Sequence, residues 1–358
     1  MKRLIRKIIS VMLIGLCLGG CTAPAQVQHD GGSDGDKTAE LTRFEATYLD
    51  LFDTVTTLKG YATDRDEFDA EADRIYESLL NHYRLFDIYT AYDDVNNLKT
   101  VNDMAGISPV KVDPEIIALL ELGKEICEKT GGKTDITLGA VLSLWHDSRE
   151  SGTEDPEHAA VPDFSALREA KTHTGFELLE INRENGTVYL TDPQASLDVG
   201  AIAKGYAAER AMQDAPDNYI LSVGGNVRTS GSKPDGSPWV VGVQDPDSPE
   251  GGSLQRLCID EASVVTSGDY QRYYTVDGVR YHHLIDPDTL TPGDKFRAVT
   301  VVCADSAAAD ALSTALFLSD MEAGRSLAES FGAEALWIAA DGTVTYTDGF
   351  EALIKDDS

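Results

Sequence analysis

The sequence predicts an α+β fold, mainly antiparallel sheet with helices packed against it, and three observations carry that expectation. Short alternating segments crowd the second half, the pairs Asn185-Gly186, Asp277-Gly278 and Asp341-Gly342 have hairpin-turn chemistry, and helical periodicity is segregated instead of alternating with every strand. Phe68, Ala72, Ile75, Leu79, Tyr83 and Phe86 recur at helical spacing and predict a helix over Asp66–Phe86. Asp113-Pro114 supplies a cap and a first-turn residue for a second helix, which Leu119, Leu122 and Ile126 carry to a stop at Gly131-Gly132. The acidic, proline-containing stretch Asp147–Asp163 reads as a surface excursion. Strands are expected at Phe176–Ile181, Thr187–Leu190 and Ser196–Val199, and a helix over Ala201–Asp214 interrupts them. Strands resume at Tyr219–Val223, Trp239–Val243, Ser263–Thr266, Gln271–Val276 and Arg280–Ile285. Two helices, Ser306–Leu318 and Met321–Phe331, precede a closing hairpin over Ala335–Tyr346. No internal repeat is visible.

The amino terminus is read apart from the fold. Lys2, Arg3, Arg6 and Lys7 precede an apolar run from Ile8 to Leu18, the pattern of a secretory signal. That run is shorter than the roughly 20 apolar residues a membrane-spanning helix needs. It ends in Leu18-Gly19-Gly20-Cys21, which resembles a bacterial lipobox and implies cleavage before Cys21 and acylation there. Residues 1–20 are thus expected to be a lipoprotein signal peptide. Residues 21–40, rich in small and polar side chains, form a flexible tether, and 41–358 form the working domain.

The chain carries a formal charge of -31, and loss of the signal cations makes the mature form more acidic still. Such a surface disfavours nucleic acid and demands a local cation or metal wherever a phosphate-bearing ligand is held. Of five cysteines, Cys127, Cys258 and Cys303 remain after Cys17 and Cys21 are set aside. None stands at a metal-ligand spacing, and their odd number among apolar neighbours suggests buried free thiols.

Four segments are dense in small and polar residues where strands give way to turns and helices. In Ser196–Ala207, Asp198 ends a strand, Gly200 opens a turn and Lys204 lies one helical turn in. Helix-start amides and a lysine can hold phosphate, and free carbonyls can hold a cation. The alternative is a structural cap beside a surface lysine. Ser222-Val-Gly-Gly-Asn-Val227 allows close approach of a flat ring or a phosphate, or is a mere tight turn. Thr266-Ser-Gly-Asp-Tyr270 leads to Tyr281-His-His-Leu-Ile-Asp-Pro287, whose adjacent histidines point to opposite faces, so that only one enters a given site. A histidine suits proton removal from a hydroxyl, or is a half-buried strand residue. In Ala307–Ala315, Asp310 and Thr314 share a helix face and together make a hard-oxygen pair suited to magnesium. The plain alternative is a solvated aspartate and a threonine bonded within its own helix.

All four segments occur in the order of the motifs of the ApbE family of FAD:protein FMN transferases, and the chain closely resembles that family from Phe52-Asp-Thr54 onward. The match runs through Tyr92 to Asn102 and Thr134-Asp-Ile-Thr137 with Trp145. The resemblance implies a two-lobed, T-fold-related architecture with FAD between the lobes and Mg2+ at its diphosphate. It implies Asp310, Thr314 and the carbonyl of Ala201 as metal ligands, and FAD contacts from Tyr92, Thr134, Asp135, Asp198, Lys204 and Leu284. His283 matches the histidine that takes the proton of an acceptor hydroxyl, and His282 faces away. The implied reaction moves FMN to a Thr or Ser of a target flavoprotein as a phosphoester and releases AMP. The target would be a subunit of a membrane redox complex or an exported flavoprotein, met at the extracytoplasmic face of the cell membrane. Two positions depart from the family pattern: Phe52-Asp53 replaces Met-Gly, and Leu290 stands where many members have glycine. Two rival functions use the same residues. Mg2+-dependent FAD pyrophosphatase activity would give free FMN and AMP, and a non-catalytic FAD-binding lipoprotein would need no base beside the phosphorus.

Overall fold

The computed structural model describes residues 40–248 and 252–355. The expected signal peptide, Cys21 and the tether as far as residue 39 lie outside the described residues.

An eight-stranded sheet organises the chain, and its spatial order follows chain order. The strands are Thr42–Leu51, Thr54–Ala62, Tyr219–Val223, Asn226–Ser230, Ser263–Gly268, Phe296–Cys303, Glu334–Ala339 and Val344–Tyr346. Every neighbouring pair is antiparallel, so each link between strands is free to be a tight turn or a long insertion. The largest insertion runs from residue 63 to 218. It holds helices Arg65–Phe86, Leu98–Asp103, Pro114–Lys129, Gly139–Glu154, Phe164–Lys171 and Ala203–Met212, and a three-stranded sheet of Val110–Lys111, Thr187–Leu190 and Leu179–Asn182. Two separate hairpins, Trp239–Gln244 with Ser253–Ile259 and Tyr273–Val276 with Val279–His282, fill later links. The α+β class read from the sequence is therefore the class observed.

Local chemistry explains where these elements begin. Asp64 accepts from Glu67 N–H and caps the first helix, which buries Phe68, Ala72, Ile75 and Leu79 against Leu58 and Leu221 of the sheet and Ala207, Ala208 and Ala211 of helix Ala203–Met212. Each large side chain buried there contributes about 1.5–3 kcal/mol. Helix Ser306–Leu318, capped by Asp305, is buried on nearly every side. It packs on strands Ser263–Gly268 and Phe296–Cys303 and against helix Ala203–Met212. That last contact depends on Gly205, where a Cβ would lie 2.2 Å from Ser306 O and 2.6 Å from Asp310 Cβ. A glycine is what lets the two helices approach so closely.

Several expectations need correction. Asp147–Glu154 is not loop but the last two turns of helix Gly139–Glu154, and Pro156 then opens a short 3-10 turn. This helix lacks a side-chain cap and buries only Gly139, Val141, Trp145 and Gly152, so its periodicity is faint. Ser196–Val199 belongs to no sheet. Its backbone partners are the Asn102 side chain, which donates to Leu197 O at 3.0 Å and accepts from Leu197 N at 2.8 Å, and Ile136 O, which accepts from Asp198 N. A side-chain amide thus replaces a neighbouring strand. The first two strands, Asn226–Ser230, Ser253–Ile259 and Phe296–Cys303 are not among the expected strands. The last is a continuous run buried on both faces, without the alternation that marks a half-exposed strand. Cys127, Cys258 and Cys303 are free thiols, but only Cys303 is buried.

Candidate active site

Where the large insertion meets the sheet, a cavity of ≈ 1000 Å³ opens. Ligand sites commonly measure about 300–1,000 Å³, so this one has room for a dinucleotide. Its wall includes the Phe52–Thr54 turn, the loop Asp87–Thr90, Lys133–Ile136, Asp198–Ala201, Lys204, Tyr270–Arg272, His283–Ile285, Asp310 and Thr314. Segments far apart in sequence, among them Asp198–Ala201, Lys204, His283, Asp310 and Thr314 singled out above, therefore face one space.

The expected metal ligands meet there. Asp310 is only 4% exposed, and its Oδ2 accepts from Gly205 N–H at 2.8 Å. In a regular helix start that N–H would bond to the Ala201 carbonyl four residues back. Diverted to Asp310, it leaves the Ala201 carbonyl without a hydrogen bond among the described residues. Asp310 Oδ1 likewise has no partner among them, and the Thr314 hydroxyl lies 3.4 Å from Ser267 Oγ. A carboxylate oxygen, a hydroxyl and a spare carbonyl, all lining the cavity, form the hard-oxygen set that Mg2+ prefers when phosphate and water complete its shell. The residues present fit that ion.

Lys204 brings the compensating charge. Its Nζ lies 3.8 Å from Asp310 Oδ2 and donates to Gly200 O at 3.4 Å. Asp198 accepts from Gly200 N–H at 2.8 Å, and burial raises its pKa. Thr134 donates to Ala311 O at 2.8 Å, which ties the cavity floor to helix Ser306–Leu318, and Asp135 Oδ1 accepts from Thr137 N at 2.8 Å. Leu284 is 6% exposed, and both its backbone groups are taken, N–H by His282 Nδ1 and carbonyl by Gly293 N–H. Its N–H is thus occupied, and its side chain and the second lone pair of its carbonyl are left to meet a ligand. Tyr92 does not belong to the cavity wall. It donates to Asp87 Oδ2 at 3.0 Å under the Arg84 guanidinium, and Asp87 in turn accepts from Tyr89 N and Thr90 N. Tyr92 thus braces the loop that forms that wall.

The two histidines divide as their alternation predicts. His282 points inward, its Nε2 donating to Gly293 O at 2.7 Å and its ring edge-on to Phe317. His283 lines the cavity, half-buried, with Nδ1 3.3 Å from Arg272 O. That carbonyl selects the tautomer protonated at Nδ1, which leaves the Nε2 lone pair free to accept a proton. Burial first, then the charges of Arg272 and its cationic neighbours, push the His283 pKa down to about 3, so the neutral ring prevails.

Two cations absent from the sequence expectations stand near His283 and Asp198. Arg149 and Arg272 line the cavity, and Arg149 Nη2 lies 2.9 Å from His146 Nδ1. The His146 ring stacks on Tyr89 with centroids 4.9 Å apart. Arg149 lies in the stretch expected to be a surface excursion; on helix Gly139–Glu154, Leu142, Trp145, His146 and Arg149 fall on one face, which lines the cavity. Lys133 also lines the cavity, paired with Asp286 at 2.9 Å and Asp288 at 2.8 Å. The sequence departures sit where backbone conformation matters most: Phe52, Asp53 and Leu290 have φ of 53°, 51° and 62°. Glycine suits such angles, and the chain bears the left-handed cost at all three.

The chain resembles known proteins over most of its length. The family model described as ApbE family matches residues 52–337. An FAD:protein FMN transferase of Treponema pallidum is 35% identical over 281 residues, covering 73% of this chain and 76% of that protein. Another, from Vibrio cholerae, is 27% identical over 341 residues, covering 94% and 93%. A crystal structure of the ApbE protein of Thermotoga maritima has a TM-score of 0.77 at 30% identity, covering 88% of this chain and all of that one. The chain belongs to the ApbE family.

Proposed function

We propose that this chain is an FAD:protein FMN transferase that moves the FMN half of FAD to a Thr or Ser hydroxyl of another protein and releases AMP. The observation that carries the reading is the pairing of Gly205 N–H with Asp310, which frees the Ala201 carbonyl beside a carboxylate and a hydroxyl. Asp310, Thr314 and the Ala201 carbonyl would hold Mg2+, which neutralises diphosphate charge and makes the FMN-side phosphorus more electrophilic. His283 Nε2 takes the hydroxyl proton, and Lys204 offsets phosphate charge at the same end. Arg149 and Arg272 supply further positive charge in an otherwise acidic protein, and the Tyr89–His146 stack offers a flat platform at the cavity edge. The acceptor belongs to the flavoproteins of membrane redox complexes or exported flavoproteins, reached outside the cytoplasm by a chain anchored through acylated Cys21.

The full-length chain incubated with FAD, Mg2+ and a candidate acceptor tests this reading. Flavin fluorescence on the denatured acceptor, with AMP released in equal amount, is the expected result. Free FMN and AMP alone would make the protein a pyrophosphatase, and unchanged FAD would make it a store.

A further inference from the structure

A second cavity of ≈ 410 Å³ lies on the face of the main sheet away from its first helix. Leu58 and Leu221 face that helix, so by alternation Thr57, Lys59, Ile220 and Ser222 face the other way. They form one band across the sheet: Thr57 pairs with Ser222, Lys59 with Ile220, Ser222 with Val227 and Val227 with Val264. The hairpin Trp239–Gln244 with Ser253–Ile259 covers the far part of this face through Val241, Val243, Leu257 and Ile259, and leaves the band as an open groove. Among the described residues strand Trp239–Gln244 pairs on one side only, with Ser253–Ile259, and Val240–Gly242 and Gln244 of that strand line the groove.

Two features tie the groove to the chemistry. It shares Gln244, Thr266, Tyr270 and Gln271 with the active-site cavity, and Gln271 precedes the residue whose carbonyl holds His283. At the junction Gly225 lines the groove and Asn226 lines the cavity. Asn226 is 3% exposed, and its Nδ2 has no hydrogen-bond partner among the described residues. From Glu45 to Thr266 the groove crosses five strands, about 19 Å at 4.8 Å per interval, the length of roughly six extended residues.

Resting on the transferase reading, we infer that this groove seats an extended segment of the acceptor protein. The segment adds to the free edge of Trp239–Gln244 and delivers its hydroxyl past Thr266 and Gln271 to His283. The hydroxyl oxygen bonds to the FMN-side phosphorus, its proton passes to His283 Nε2, and the phosphorus–oxygen bond to AMP breaks with the electron pair leaving on AMP. Asn226 Nδ2 donates to a carbonyl of the incoming segment at the junction.

Thr57→Trp and Ser222→Tyr fill the groove from two neighbouring strands with residues that strands favour, and neither position lines the active-site cavity. The full-length chain and both variants are given FAD, Mg2+ and a mixture of soluble peptides, each with one central threonine. Flavin on the peptides, AMP release and FAD affinity are read separately. The expected result is unchanged FAD affinity with peptide labelling down at least about tenfold in both variants, equivalent to about 1.4 kcal/mol of lost acceptor binding. Labelling equal to wild type in either folded variant overturns the groove. Absence of label on every peptide with the wild-type chain also overturns it, and AMP release then shows independently whether FAD is still cleaved. A photo-crosslinker at Ser222 gives a fold-independent arm: adducts to peptide support the inference, and adducts only to this chain's own amino-terminal segment contradict it.

Discussion

Asp310 does two jobs with its two oxygens, and the predictions at the residue scale follow from that division. Oδ2 holds Gly205 N–H, and Oδ1 is left without a partner among the described residues on a residue that lines the cavity with Thr314 and Ala201. Asp310→Ala removes the only carboxylate of the set. AMP release should fall by more than about a hundredfold, since even outer-shell changes at metal sites cost 10–100-fold. Near-normal release would remove the metal assignment. His283 yields a pH prediction. Its folded pKa, about 3, lies below the ordinary value of 6.5, so the fold binds the neutral ring and the unfolded chain binds more protons between those values. Stability from this group therefore rises with pH across that window and is lost as pH falls through it. For the free enzyme, kcat/KM should show no histidine limb near pH 6.5, and a limb there that disappears in His283→Gln would contradict the assignment.

At the scale of elements, the site is held by close approaches that single substitutions can test. Gly205→Ala forces a methyl against Ser306 O, so it should cost about 1–3 kcal/mol in denaturant unfolding. It should also lower turnover out of proportion, because it moves the N–H that orients Asp310; a variant of wild-type stability would show that the helices have slack. Asn102→Ala strands the Leu197 backbone groups and should destabilise by about 1–3 kcal/mol per unpaired group. This clamp shows why parts of the fold were hard to read. The pattern of Arg65–Phe86 and the Asp277-Gly278 turn are written locally, as spacing and turn chemistry, and were legible. Ser196–Val199 looks like a strand because it is extended, but its partner is one side chain from residue 102, which no local pattern announces. Phe296–Cys303 was opaque for the opposite reason, since a strand buried on both faces has no period. Within the site, Asp310, Thr314 and His283 were legible as residue types at helical or strand spacing. Arg149 was not, because the acidic, proline-containing sequence around it hides its helix, and Ala201 was reached only through the family resemblance, since its part depends on a hydrogen bond that is not made.

The whole molecule sets an acidic body against a cavity with local cations. A charge of -31 repels itself at low salt, and raising ionic strength to about 0.15 M shortens the screening length to about 8 Å. The melting temperature should therefore rise with added sodium chloride; a fall would mean that ion pairs such as Lys133 with Asp286 outweigh the general repulsion. The same acidity makes a divalent cation the natural means of holding a diphosphate, which is where the residue and molecular scales meet. Crystals grown with FAD and with Mn2+ in place of Mg2+, examined by anomalous diffraction, test that meeting directly. The expected result is an anomalous peak bounded by the Ala201 carbonyl, Asp310 and Thr314 and touching the flavin dinucleotide's phosphates; a peak elsewhere, or phosphates remote from those three residues, would contradict the metal assignment.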